Sequence, residues 1–383
     1  MSEAKQDFLK GLSGESDLDK KKKEIDINRT NNQYDRLKEG ERKASLASQA
    51  SFGPLDPERV LQLAQESTDY IDSAASAMKF ISEVFDGIVP FFSKNLILIG
   101  AKTGEGKSTC VANIVRSTIA QINPITGKPR RCLVLTNEEN IVDFYNRVTC
   151  LLKGWHYVNH DKFTQEQKQT FEQYIKLLSK DGRLTVVDDT HRTASGETTD
   201  GLTTTVEGIE TIFENLLRDK EYYDVVVIDY YQGVMESTKD PMMDEFKVQA
   251  RLTHVLEKYR KSYPAPIILM AQTNPPERET PSPFQVRIQG RKLICTKATM
   301  IIEMIANREE LTTEWLIHKG RYAESTGTSV FTGYKNGLFV KRDEKFTAEV
   351  RQMREKKAAA EFDKMAGIKV PTQETAMAGA ENE

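Results

Sequence analysis

From about residue 95 to residue 340, short apolar runs alternate with amphipathic stretches. The runs lie at 96–99, 132–135, 184–187, 225–228, 267–270, 300–305, 313–317 and 329–331. Several are apolar without interruption, which marks strands covered on both faces, as in a parallel sheet flanked by helices. Helical patterns fall between them at 108–121, 139–153, 163–179, 205–218 and 244–262. The last strands, 312–319, 327–334 and 337–341, follow each other closely across glycine-containing turns, so antiparallel hairpins are expected at that edge. The fold class is therefore α/β, doubly wound, mostly parallel, with antiparallel C-terminal edge strands.

The flanks differ. Residues 1–55 are polar and charged with few large apolar side chains, too few to offset the entropy of ordering, and are expected to be disordered. The Lys20-Lys21-Lys22-Lys23 run is followed by Glu24 and Asp26 and reads as a solvated charge run. Over 56–80, Asp56-Pro57 opens a helix whose Leu61, Ala64, Ile71, Ala75 and Met78 form one apolar stripe, a linker or packing helix. The main domain runs over 81–343. A charged helix at about 345–365 and a polar tail fill 344–383.

The formal net charge is −3, so any nucleic-acid contact must come from a local basic patch. Cys110, Cys132, Cys150 and Cys295 form no CxxC pair and read as reduced thiols. No apolar run reaches the ~18–20 residues that span a bilayer. A cytoplasmic place, inside a bacterial or virus-infected cell, is expected. His156 and His160 stand four apart without a nearby carboxylate pair and read as loop residues, and Trp155 and Trp315 as packing residues.

Four strand ends carry chemistry. The first strand runs into Ala101-Lys-Thr103-Gly104-Glu105-Gly106-Lys107-Ser108-Thr109, and a helix follows at once. Gly104 and Gly106 allow backbone N–H groups to point inward at phosphate, the helix N-terminus adds positive charge, Lys107 reaches the β- and γ-phosphates and Ser108 takes Mg²⁺. The nucleotide expected is ATP. Asp229 ends the buried run Val225-Val-Val-Ile228 at the same sheet edge, the place of a second Mg²⁺-side acid. Cys132-Leu-Val-Leu-Thr-Asn leads to Glu138 and Glu139. A carboxylate there orients water and takes its proton, and register favours Glu138. Gln272 ends a fourth strand and can sense the γ-phosphate.

These four elements, in this order, resemble the ATPase domain of DnaB-type replicative helicases of the RecA-like P-loop superfamily, over roughly residues 80–342. Phe85-Asp86-Gly87, Val227-Ile-Asp-Tyr-Tyr-Gln232, Ala271-Gln-Thr-Asn274 and Ile317-His-Lys319-Gly-Arg321 before Thr326-Gly-Thr328 are similar to stretches of that family. The resemblance implies a RecA-like fold and a hexameric ring on single-stranded DNA, with primase or other replisome proteins as further partners. It also implies that Arg321 is an arginine finger, with Lys319 its companion, reaching a neighbour's γ-phosphate. The 56–80 helix would then hold the ring together. The segments after Asp229 and Gln272 would face the central channel. The second carries Arg278, Arg287, Gln289, Gly290, Arg291 and Lys292, suited to a phosphate backbone read without sequence preference. Two stretches depart from the family pattern: Arg291-Lys-Leu-Ile-Cys-Thr-Lys297 is basic where acidic residues are usual, and Pro275 replaces an arginine. Such a chain looks like a divergent member of viral or mobile-element kind. A recombinase-like filament protein and a KaiC-like regulatory ATPase share the same ATP site and stand as alternatives.

Overall fold

A computed structural model of the chain describes Glu58, Leu61, Ile81, Phe85 and residues 94–365, apart from 125, 158–159, 181, 189–201, 235–244, 275–283, 291 and 321–325. The chain divides into two units, 1–67 and 68–383. Of the first, only Glu58 and Leu61 are described, and both are helical. The lysine run at 20–23, most of the 56–80 helix and the tail beyond 365 lie outside the described residues.

The second unit is built on one nine-stranded sheet. In chain order the elements are β1 (Leu96–Ala101), α1 (Lys107–Ile119), β2 (Cys132–Thr136), α2 (Ile141–Lys153), α3 (Gln165–Lys180), β3 (Leu184–Val187) and α4 (Val206–Arg218). Then come β4 (Val225–Asp229), α5 (Glu245–Ser262), β5 (Ile267–Gln272), α6 (Phe284–Arg287) and α7 (Leu293–Lys297). The chain closes with β6 (Met300–Asn307), β7 (Thr312–Gly320), β8 (Ser329–Lys335), β9 (Leu338–Lys341) and α8 (Glu344–Met365). The strands stand in the order β3-β2-β4-β5-β1-β6-β7-β8-β9. Strands β3 to β6 in that order are parallel, and β6 to β9 pair antiparallel. The expected architecture is the observed one.

Two apolar cores explain why the central strands carry no alternation. Leu96 and Leu98 face one core with Val206, Ile209 and Phe213 of α4 and Leu252 and Leu256 of α5. Ile97 and Ile99 face the other with Val111 and Val115 of α1, Phe144 and Val148 of α2, and Phe171 of α3. Each strand residue buries its side chain on one face or the other, so polarity has no place to appear. Trp315 is fully buried edge-on to Phe85 and Phe339, with its indole N–H donating to Thr332 at 3.0 Å. Trp155 packs edge-on against Phe163. Both tryptophans are packing residues, as their sequence setting suggested. All four cysteines are free and buried.

Local signals set the helix ends. Asn140 caps α2, accepting from the Asp143 N–H at 2.9 Å, and Thr205 caps α4, accepting from the Gly208 N–H at 3.0 Å. Helix α1 has no such cap: Gly106, at φ 91° and ψ 35°, precedes it with no side chain on its first N–H groups. Its first N–H groups are thus left without a side-chain acceptor.

Candidate functional site

Parallel strands point their carboxyl ends the same way, so the chain segments leaving β2, β4, β5 and β1 emerge side by side along one sheet edge. Register fixes the juxtaposition: Thr136 stands opposite Asp229, and Ala101 opposite Gln272. The four strand ends singled out in the sequence thus meet at one place.

The glycine turn after β1 has the backbone its sequence requires. Gly104 and Gly106 take φ of 80° and 91°, a region that a side chain enters at a cost. Glu105 accepts from the Lys102 N–H at 3.2 Å, and Arg308 donates to the Gly104 carbonyl at 2.7 Å. Thr103 is exposed, and Ser108 and Thr109 are half-buried. Lys107 is only 5% exposed, and among the described residues no carboxylate pairs with it; its ammonium lies 5.8 Å from the Tyr230 ring centre. A buried ammonium bonded to no carboxylate is costly, and an anion placed at it would offset that cost.

Asp229 is the matching oddity. It is 2% exposed, and its Oδ1 has no hydrogen-bond partner. Burial, reinforced by the charge of Glu138, pushes its carboxyl up to about 7 against the pull of Lys107. The peptide from Asp229 to Tyr230 is cis. An orphaned buried carboxylate oxygen beside a phosphate-type turn fits a divalent cation that takes its other ligands from phosphate and water. Ser108 and Asp229 are the residues that would hold it.

The two carboxylates after β2 differ in their partners. Glu139 is gripped by Arg147 of α2 at 2.7 Å through one nitrogen and 3.2–3.3 Å through another. Glu138 is exposed, and among the described residues its carboxylate has no bonded partner. Thr136 holds the turn, its hydroxyl donating to the Glu139 carbonyl at 3.2 Å and receiving the Glu138 and Glu139 N–H groups. Asn137 then clamps this turn to β4: its amide donates to the Tyr230 carbonyl at 3.1 Å and accepts from the Tyr230 N–H at 3.0 Å.

Gln232 plays the corresponding part on the other side. Its side chain accepts from the Gln272 N–H at 3.0 Å and donates to the carbonyls of Gln272, at 3.1 Å, and Gln289, at 2.7 Å. Residues 287–289 return antiparallel to 272–274: the Asn274 N–H donates to the Arg287 carbonyl at 2.7 Å and the Gln289 N–H to that of Gln272 at 3.0 Å. This closes a neck between 272–274 and 287–289. In the sequence, Gln232 is only one letter of a family-like run, and Asn137 carries no signal. Each is defined by partners tens of residues away.

Of the basic segment, Arg278 and Arg291 lie outside the described residues, as does Arg321. Gln289 and Gly290 are half-buried at the neck, and Lys292 is exposed. Arg287 departs from the expectation of a phosphate contact. It is 8% exposed, and its guanidinium is taken up by both oxygens of Glu303, one at 2.6 Å. Lys319 is also engaged within its own chain, donating to the carbonyls of Cys295 and Thr296 at 3.1 and 3.0 Å.

A cleft of about 440 Å³ opens beside the turn between Gly104–Thr109 and the β6–β7 end, with Arg308, Tyr334 and Phe339 among its lining. A larger one, about 660 Å³, adjoins it at Thr109, Leu311 and Tyr334 and runs toward α8; it holds none of the strand-end carboxylates. Among the described residues, no group of three or more histidine, cysteine or acidic side chains could hold a metal on its own, His156 included, and no helix is long and apolar enough to cross a membrane.

No family profile matches the sequence, and no curated protein sequence does. Solved structures do. The ATPase domain of G40P superposes with a TM-score of 0.57 at 14% identity, over 76% of this chain and 100% of that one. A DnaB-like replicative helicase, solved to show its interactions with primase, gives 0.54 at 14% identity, over 86% of this chain and 78% of that one. The chain is similar in fold to helicase ATPase domains, and the RecA-like architecture read from the sequence stands.

Proposed function

We propose that the protein is an ATP-hydrolysing motor of the replicative-helicase kind, a ring whose subunits bind ATP at their interfaces and move on single-stranded DNA to unwind duplex. The observation that carries this reading is the complementary pair of unpaid charges, buried Lys107 and buried Asp229, flanking an uncapped helix start. Such a site is satisfied by a triphosphate with its cation and by little else.

In this reading the N–H groups of the Gly104–Thr109 turn and Lys107 bind and orient the β- and γ-phosphates. Ser108 and Asp229 hold Mg²⁺, which supplies charge neutralisation at the phosphates when bound. Glu138, left free while Arg147 occupies Glu139, accepts the proton of the attacking water. Gln272 senses the γ-phosphate, and the Arg308–Tyr334 cleft offers room for the nucleoside. Arg321 and Lys319 of one subunit complete the site of the next. Lys319 must then exchange its own chain's carbonyls for the neighbour's phosphate when subunits meet. Gln289, Gly290 and Lys292, with Arg278 and Arg291, line the strand's path. Residues 81–343 form the ATPase domain, with 56–80 as the packing helix.

The test is the ATPase rate with and without single-stranded DNA, together with particle counting by electron microscopy. Hydrolysis stimulated by the strand, in closed rings that displace a duplex strand, supports the reading. Stimulation without displacement points to a recombinase-like filament, and no stimulation to a regulatory ATPase. Lys107→Ala should abolish hydrolysis. Arg321→Ala should keep nucleotide binding and lose turnover; retained turnover in that variant counts against the ring.

A further inference from the structure

The sheet holds a buried charged cluster that the nucleotide chemistry does not use. Glu303 sits in β6, 2% exposed, opposite Gly100 of β1. Two elements, α6 and β7, converge on it. Arg287, at the end of α6, binds both carboxylate oxygens, and its own carbonyl accepts from the Asn274 N–H at the neck. His318 of β7 meets Oε2 through Nε2 at 2.7 Å. Phe284 of α6 stacks on the His318 ring, centres 4.9 Å apart and planes 29° from parallel, and lies directly over Gly100.

The position of His318 comes from an irregularity in the pairing. Ile302 stands opposite Ile317 and Ile301 opposite Lys319, so His318 has no partner in β6. An extra residue of this kind kinks a strand and re-aims its side chains. Here it brings His318 to Glu303 and puts Lys319 at the bend, reaching the end of α7.

A carboxylate with so little access to water tolerates no half-made arrangement. Losing one partner leaves part of the carboxylate unsatisfied in a poor solvent for it. The neck, the strand under the glycine turn and the bend of β7 are therefore held as one body. We propose that Glu303 and His318 are positioning residues that couple the 287–289 neck to Lys319, so that a strand bound at the neck adjusts the reach of β7 toward the neighbouring subunit's nucleotide. This rests on the motor reading above and adds to it the link between its two ligands.

The experiment measures ATP turnover and KM in the full-length protein with and without oligothymidylate. His318→Phe keeps the ring stack and removes the bond to Glu303; His318→Gln keeps a donor. For His318→Phe the stimulation by oligothymidylate should fall about fivefold or more, the lower range of ordinary coupling between sites. Its unstimulated rate and KM for ATP should match wild type, and His318→Gln should recover stimulation. A purely structural residue would move stability but not that ratio. If His318→Phe fails to fold, the Arg287→Gln/Glu303→Gln double variant, which removes both charges at similar shape, should show the same loss of stimulation. Wild-type stimulation in either variant overturns the coupling alone. A wild-type protein with no stimulation overturns the motor reading, and the coupling with it.

Discussion

Gly106→Ala separates backbone strain from crowding at the glycine turn. Gly106 holds φ at 91°. A Cβ built there would meet nothing closer than the Thr109 Cβ at 3.8 Å, an ordinary contact. The methyl group fits, so the cost is purely dihedral, about 1–2 kcal/mol for an L residue in the left-handed region. The protein can meet that cost in two ways. If the turn keeps its shape, stability falls by that amount, about 2–8 °C in melting temperature for a domain of this size. If the turn rotates away from the strained region, its N–H groups leave the phosphates and ATP affinity falls by about 5- to 30-fold. The two losses share one total. Thermal unfolding of the nucleotide-free protein and a calorimetric ATP titration measure them separately. Gly127→Ala is the control: it has φ of 65°, nothing within 4 Å and no part in the site, so it should lose stability without losing affinity. Unchanged melting and unchanged affinity in Gly106→Ala would refute the reasoning, as would an equal loss of affinity in Gly127→Ala.

Gly100→Ala is the opposite case. Its Cβ would come within 2.5 Å of two Phe284 ring atoms and 3.0 Å of Thr273 Cγ2, so overpacking should cost about 1–3 kcal/mol, and Phe284→Leu should relieve it in the double variant; additive losses would argue against the clash. Glu138→Gln should lower turnover by about 10²- to 10⁴-fold with ATP binding intact, whereas Glu139→Gln, which only frees Arg147, should spare most of the rate; the reverse ranking in single-turnover assays reassigns the base. At Glu303 burial raises the carboxyl, but hydrogen bonds from His318 and Arg287 more than reverse this and leave it below the ordinary 4.5. Its stabilisation is thus complete above that value and fades as pH falls toward the lowered one. Urea midpoints of wild type and Glu303→Gln should therefore converge in acid; parallel curves would exclude a role for the ionised pair.

The strand ends were legible in the sequence because each is announced locally. A continuous apolar run must be buried on both faces, and a polar residue at its end must therefore stand at the sheet edge. Asp229 and Gln272 follow from that rule, Glu138 lies two residues past its strand, and Lys107 is read from the glycine turn instead. The different settings of Glu138 and Glu139 were only partly legible, since the bond that ties up Glu139 comes from Arg147 in α2, eight residues on. The burial of Arg287 was not legible at all. On a segment rich in charge and proline it reads as a surface residue, and only the pairing of β6 with β1 and the extra residue in β7 put a carboxylate and an imidazole where it meets them. Gln232 was hidden for the same reason, its partners lying 40 and 57 residues away.

The four sequestered sulfurs give the protein an internal clock. Burial, with the charge of Asp229 adding to it, raises the Cys110 thiol far above its ordinary value, and burial pushes Cys295 up to about 11. Neither should react with iodoacetamide while the fold is closed, because only an exposed thiolate attacks. Cys110 follows Lys107 by three positions in α1, and Cys295 lends its carbonyl to Lys319. Their alkylation rates therefore time the opening of the two ends of the machine separately, with no label to engineer, and each nucleotide or nucleic acid that tightens one end should slow its own sulfur.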